Sequence, residues 1–302
     1  MFSIKTKNIS KAYKDVKALK NINLNVKEGE IFGLIGPDGA GKTTLFRILT
    51  TLILPDKGRA FVKGYDVVKK YKKIRKIVGY MPGKFSLYQD LSVEENLNFF
   101  ASIFNTTVSE NYETIKDIYS QLEPFKKRLA GRLSGGMKQK LALSCALVHK
   151  PEILFLDEPT TGVDAVSRKE FWDILNKIKN TGISIFVSTP YMEEAGLCDR
   201  VAFIQKGEIL TVDTPKNIKS NFHDTLAAVK ADNMYKLITD LRALKAVQAV
   251  FRFGKSIHLS FDINVINPDE ILSYLKSKEH NNISIKKIDP NMEDCFMKLM
   301  KD

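Results

Sequence analysis

The stretch Gly36-Pro37-Asp38-Gly39-Ala40-Gly41-Lys42-Thr43-Thr44 carries the clearest chemistry in the chain. It follows the apolar run Ile31 to Ile35 and leads into Leu45-Phe46-Arg47-Ile48-Leu49. Strand, glycine-rich loop and amphipathic helix stand in the order of a phosphate-cradling loop, G-x-x-x-x-G-K-[ST]. Gly36, Gly39 and Gly41 let the backbone curl until successive N–H groups point at one anion, a path that side chains with a Cβ resist. The start of the helix adds its dipole. Lys42 supplies a cation for the outer phosphates, and the Thr43 hydroxyl stands where magnesium is ligated. A glycine-rich turn without a ligand would need neither the Lys-Thr pair nor the two flanks.

A second stretch completes that chemistry. Ile153-Leu154-Phe155-Leu156-Asp157-Glu158-Pro159 is a continuous apolar run ending in two carboxylates, the pattern of a strand buried on both faces of a parallel sheet. Such sheets gather their active groups at the carboxyl ends of the strands. Asp157 is expected to hold magnesium through water opposite Thr43, and Glu158 to polarise an attacking water. Lys42 and Glu158 are thus the catalytic candidates.

These stretches need a scaffold, and the surrounding pattern describes one. Residues 2–35 alternate apolar and polar positions as short antiparallel strands feeding the phosphate loop. A strand pair bends at Gly64, and Val78 to Pro82 returns as a strand. Leu91 to Phe104 and Val108 to Leu122 have helical spacing, the first opened by a Ser92/Glu95 capping box, and form a helical insertion over about 84–150. Leu133-Ser134-Gly135-Gly136-Met137-Lys138-Gln139 opens another helix, Ser167 to Lys179 a further one, and Ile183 to Ser188 is a buried strand. At about residue 221 the pattern changes to strand, helix, strand, strand, helix, strand and a last helix. That is the ferredoxin-like order in an α+β accessory domain, without a catalytic constellation.

Length and charge fit this division into a large domain, 1–220, and a small one, 221–302. The chain has 302 residues and a formal net charge of +12; its second part holds 12 Lys and Arg against 11 Asp and Glu, leaving +11 on residues 1–220. Lys69 to Lys76 contributes six of those charges and could face anionic lipid or nucleic acid, although a solvated helix face is the simpler reading. No apolar run is long enough to span a membrane, and the start reads as a strand and not as a secretory leader. Cys145, Cys198 and Cys295 lack metal-ligand spacing and read as reduced thiols. His149, His223, His258 and His280 read as surface residues.

The phosphate loop, Leu133-Ser134-Gly135-Gly136 with Gln139, and Ile153 to Pro159, at these separations, resemble the nucleotide-binding subunit of ABC transporters. The L-S-G-G-x-x-Q signature distinguishes that family from other P-loop NTPases. The resemblance implies a P-loop NTPase fold of the ABC type: a RecA-like parallel sheet, an antiparallel β subdomain and a helical subdomain. It also implies MgATP as cofactor, with Tyr13 stacked on adenine and Asp164 in the D-loop Thr161-Gly162-Val163-Asp164. Ser134, Gly135 and Gly136 open a helix and would bind the γ-phosphate of a nucleotide held by an opposing subunit. More weakly, the tail resembles the extension of drug and antibiotic exporters' ATPase subunits.

Two positions depart from the family pattern. The Q-loop glutamine is Gly83 here, and the switch histidine is Pro190. Neither residue offers a side-chain donor to the reaction, so binding is expected to survive while hydrolysis at the chain's own site slows. The resemblance therefore implies an exporter's ATP-binding subunit at the cytoplasmic face of the membrane. Its partners would be a transmembrane permease and a second ABC ATPase subunit, with no specific nucleic acid. The competing classes are a soluble ABC ATPase acting on ribosomes or DNA, and a nucleotide-sensing regulatory subunit.

Overall fold

In the computed structural model, which describes residues 1–300, the strand that carries the phosphate loop is buried along its whole length. The chain divides into two compact units, Met1–Pro215 and Lys216 onward. In order, the first contains β1 (Phe2–Tyr13), β2 (Val16–Ile22), β3 (Asn25–Lys27), β4 (Ile31–Ile35), α1 (Lys42–Leu49), β5 (Lys57–Val62) and β6 (Tyr65–Asp66). There follow α2 (Tyr71–Ile77), β7 (Val78–Met81), α3 (Val93–Ile103), α4 (Tyr112–Tyr119), α5 (Gly135–Leu147), β8 (Ile153–Asp157), α6 (Ala165–Asn180), β9 (Ser184–Thr189), β10 (Arg200–Gln205) and β11 (Glu208–Asp213).

Two sheets share this unit. β1 pairs antiparallel with β2, β3 and β5, and β6 extends the sheet from β5. The other sheet runs β11-β10-β4-β9-β8-β7, parallel from β10 to β7. β4, β8 and β9 have no exposed position, because both faces of the sheet are covered, which is why their sequences run apolar without alternation. α1 packs Leu45, Phe46, Ile48 and Leu49 inward. Phe46 stacks on Phe186 at 4.7 Å between ring centroids and meets Phe155 edge-on at 5.8 Å. This aromatic cluster locks the helix after the phosphate loop to the two strands that end beside it.

The helical insertion forms as its caps dictate. Ser92 Oγ accepts from Glu95 N at 3.2 Å, while Glu95 Oε2 accepts from Ser92 N at 2.7 Å. All three cysteines are buried thiols.

The second unit builds α7 (Pro215–Ser220, begun by the last residue of the first), β12 (Thr225–Lys230), α8 (Met234–Ala243), β13 (Val247–Phe253), β14 (Ser256–Phe261), α9 (Pro268–Ser277), β15 (Ser284–Lys287) and α10 (Met292–Leu299). Its sheet runs β13-β14-β12-β15 with every pair antiparallel, the ferredoxin-like strand order. Leu237, Leu241, Leu259, Phe261, Ile271 and Leu275 fill its core.

Three histidines are not the surface residues their sequence context implied; only His223 is exposed. His258 Nδ1 lies 2.7 Å from Asp294, and His280 Nε2 lies 2.9 Å from Asp240. In the first unit His149 stacks on Phe104 with 3.7 Å between ring centroids, and its Nε2–H donates to the Val78 carbonyl at 3.1 Å. Burial pushes the His149 pKa down to about 4. The unfolded chain takes up this proton near pH 6.5 and the folded unit only near 4, so stability held above pH 6.5 is lost as the pH falls between those values. The loss is on the order of 3 kcal/mol. Thermal melts should show His149→Phe losing less stability than the wild type across that window; parallel curves would refute this.

Candidate functional site

Between β4 and α1 the loop takes the path its glycines permit. A Cβ on Gly36 would stand 2.1 Å from the Ile204 carbonyl oxygen; Gly41, at φ +108°, caps α1 where a Cβ would stand 2.4 Å from that of Ala18. Both positions therefore exclude a side chain. Gly36 N–H donates to the Thr189 carbonyl at 3.3 Å and Gly207 N–H to that of Ala40 at 3.0 Å. These bonds tie the loop to the end of β9 and to the hairpin joining β10 and β11.

A groove of about 580 Å³ opens over the loop, lined by Gly39, Gly41, Lys42, Thr43 and Thr44 together with Tyr13 and Glu158. Pro37 and Asp38 lie exposed at the loop's crest and Ala40 is buried beneath it. Tyr13 keeps 44% of its surface exposed, which leaves a ring face free for a planar ligand. Three lysines that the motif did not reveal, Lys17, Lys20 and Lys206, also line the groove. Lys17 and Lys20 come from β2, and Lys206 from the turn between β10 and β11. Only the fold brings these segments to the loop, so no local pattern could have named them.

Lys42 is the electrostatic centre. Its ammonium group, 3% exposed, donates to the carbonyls of Gly36 at 2.8 Å and Pro37 at 3.1 Å and pairs with Glu158 Oε1 at 3.0 Å. Its three N–H donors are thereby satisfied. Glu158 sits at φ +53°, a conformation rare for residues with a side chain, and its N–H donates to the Ser188 carbonyl at 3.0 Å. The strained residue turns its carboxylate back over the loop instead of continuing the strand.

Asp157, 2% exposed, accepts from Ser188 Oγ at 2.6 Å, which leaves its second oxygen outside that bond. Ser188, missed by sequence reasoning, links β9 to the Asp157 carboxylate and to the Glu158 backbone, since its Oγ also accepts from Glu158 N at 3.1 Å. Burial and the Asp157 charge raise the Tyr80 pKa to about 12. Among the described residues, no cluster of three or more His, Cys, Asp or Glu side chains could hold a metal by itself. Thr43 and Asp157 offer hard oxygen donors that suit magnesium when phosphate oxygens and water complete the shell.

The two departures from the family pattern lie against this site. A Cβ on Gly83 would be 3.0 Å from the Asp157 carbonyl oxygen. Pro190 directly follows Thr189, whose carbonyl holds the phosphate loop.

The remaining predicted contacts lie on a different surface. Ser134, Gly135, Gly136, Gln139 and Asp164 do not line the groove. Ser134 caps α5, accepting from Met137 N at 3.4 Å, and stays exposed with Gly135. A Cβ on Gly136 would meet the Ser167 hydroxyl at 2.9 Å, so this glycine lets α5 approach α6. Asp164 caps α6, accepting from Ser167 N at 3.0 Å and Val166 N at 3.1 Å; these bonds hold its carboxyl below the usual range.

Residues 19–161 match the sequence model of the ABC transporter family. The chain is 38% identical over 290 residues to the probable multidrug ABC transporter ATP-binding protein YbhF of Escherichia coli, covering 95% of this chain and 50% of that protein, so it spans about half of that relative's length. The linearmycin resistance ATP-binding protein LnrL of Bacillus subtilis is 31% identical over 305 residues, covering 98% of this chain and 97% of LnrL. In structure, the chain is similar to the dimeric ATP-binding cassette MJ0796 bound to ADP and Pi, with a TM-score of 0.63, 27% identity, and coverage of 70% of this chain and 98% of that one. With its P-loop, signature and paired carboxylates in one cassette fold, the chain belongs to the family of ABC transporter ATP-binding proteins.

Proposed function

We propose that the chain is the ATP-binding subunit of an ABC exporter, coupling ATP binding and hydrolysis to a separate transmembrane permease at the cytoplasmic face of the membrane. One observation carries this reading: the phosphate groove and the Ser134-Gly135-Gly136 surface are chemically complementary, yet one chain does not bring them together. A second ABC ATPase subunit, identical or different, would supply the missing half to each site. Lys42 and the loop N–H groups would hold the phosphates, Tyr13 the adenine, and Thr43 with Asp157 the magnesium. The metal would neutralise charge developing on the phosphates. Glu158 would orient and deprotonate the attacking water once a nucleotide phosphate takes over its bond to Lys42.

The permease is expected at a second groove, of about 530 Å³, where Phe100 and Phe104 face Tyr80 and Met81. Closure of the paired subunits would reach the membrane through this insertion. No helix among the described residues is long and apolar enough to cross a membrane. The names of YbhF and LnrL support an exporter of drug-like compounds.

Co-expression with an export permease tests the reading. The expected outcome is a detergent-stable complex whose ATP turnover exceeds that of the chain alone. Salt-sensitive association with ribosomes or DNA and no permease complex would point instead to a soluble ABC ATPase.

A further inference from the structure

From Val67 to Gln89 the chain has no Asp or Glu and seven Lys or Arg. The structure gathers six of these cations on and just before α2. Lys69, Lys70, Lys72, Lys73, Arg75 and Lys76 are all exposed, and Ile74 is the helix's one buried side chain. Partly buried cations of this unit find carboxylates, as Lys11 does with Asp56, Lys63 with Glu28 and Lys179 with Asp199. None of these six is within ion-pair distance of a carboxylate among the described residues. Crowded like charges repel across a helix surface, and no carboxylate among the described residues pairs with them.

Apolar groups share this surface. Arg75 donates to the Thr51 hydroxyl and carbonyl, both at 2.9 Å, which fastens the turn after α1 beside α2. That turn exposes Leu52 by 55% and Leu54 by 63%, and Val68 is 47% exposed just before the helix. The two tyrosines nearby are occupied: Arg75 covers the Tyr71 ring at 5.1 Å and Lys73 the Tyr65 ring at 5.4 Å. Each cation covers one face of its ring, which reduces the aromatic surface on which bases of a single-stranded nucleic acid could stack. Cations interleaved with exposed aliphatic groups match the headgroup layer of a bilayer, where phosphates lie above acyl chains.

We propose that α2 and the adjoining Leu52 to Leu54 turn form a contact surface for anionic phospholipid headgroups. The lysines meet the phosphates while Leu52, Leu54 and Val68 enter the boundary with the acyl chains. The surface borders the groove assigned above to a permease, sharing Leu52, Arg75 and Lys76 with it, but the contact needs no permease.

The test is flotation of the purified full-length chain with vesicles, without any permease. Binding is expected to phosphatidylglycerol-containing vesicles and not to pure phosphatidylcholine, and to fall with rising salt. Each lysine near an anionic surface contributes about fivefold to partitioning, so K69Q/K70Q/K72Q/K73Q should bind at least a hundredfold more weakly. L52S/L54S should also weaken binding at low salt. Both variants must retain wild-type ATP affinity and melting behaviour, since none of these residues lines the nucleotide groove. Absence of binding to anionic vesicles would overturn the proposal, as would lysine or leucine variants that bind like the wild type. Lysine-dependent binding to duplex DNA with no vesicle binding would overturn it in favour of a nucleic-acid surface.

Discussion

Lys42→Ala is expected to lower ATP affinity by tenfold or more and turnover by about a thousandfold, while leaving the fold intact. Each charge-assisted bond from an ammonium to a phosphate contributes roughly 1.5–3 kcal/mol. An interaction that strengthens as charge develops adds further to the rate. Lys42 is 3% exposed, so removing it could be suspected of unfolding the loop. Two features argue otherwise. Its partner Glu158 keeps 23% of its side chain exposed and can turn to water, so no carboxylate is stranded. The loop's shape is also held independently, by Gly36 N–H to Thr189 and Gly207 N–H to Ala40. Calorimetric titration with ATP and a thermal melt check both halves: a normal melt with lost affinity is the expected pair, and unchanged affinity would remove Lys42 from the site.

What could be read from the residues alone follows a physical division. The phosphate loop, the buried strand ending in Asp157 and Glu158, and the caps at Ser92 and Ser134 are local, because each depends on residues a few positions apart. Their elements stand where the periodicity placed them. The order β11-β10-β4-β9-β8-β7 is not local: nothing in Ile153 to Asp157 says that β9 separates it from β4. For the same reason Ser188, Lys17 and Lys206 escaped notice, being ordinary residues until the sheet and its hairpin carry them to the loop. The histidines show the opposite error. His149 precedes a proline turn, which suggested exposure, but it is packed against Phe104 by tertiary contacts that no window around residue 149 contains. Tyr13 was legible through family resemblance alone, since one aromatic residue in a strand connection carries no pattern of its own. Asp164 illustrates a further limit, because a residue given a nucleotide role by resemblance caps α6 in the structure. One side chain can do both only if the cap gives way or its second oxygen serves.

Glu158→Gln should separate binding from turnover in the other direction. The amide preserves the shape of the carboxylate but cannot accept a proton, and loss of a positioned general base lowers rates by about a hundredfold to ten-thousandfold. ATP affinity should hold or rise, because the 3.0 Å ion pair between Glu158 and Lys42 competes with phosphate for the ammonium, and glutamine competes less. The wild-type rate is expected to be slow at the start, since Gly83 and Pro190 supply no side-chain donor. Restoring both donors enlarges the window. In Gly83→Gln the new Cβ, 3.0 Å from the Asp157 carbonyl oxygen, requires a shift of a few tenths of an ångström, which the exposed 83 position can make. Pro190→His returns an imidazole to the end of β9. A preorganised donor contributes on the order of 3 kcal/mol to such a transition state, so the double variant should hydrolyse ATP at least tenfold faster than the wild type. Adding Glu158→Gln to it should abolish the gain while leaving ATP bound. If the double variant stays slow with ATP bound, the missing donors do not limit the rate. If Glu158→Gln leaves its turnover untouched, the attacking water is activated by some other group.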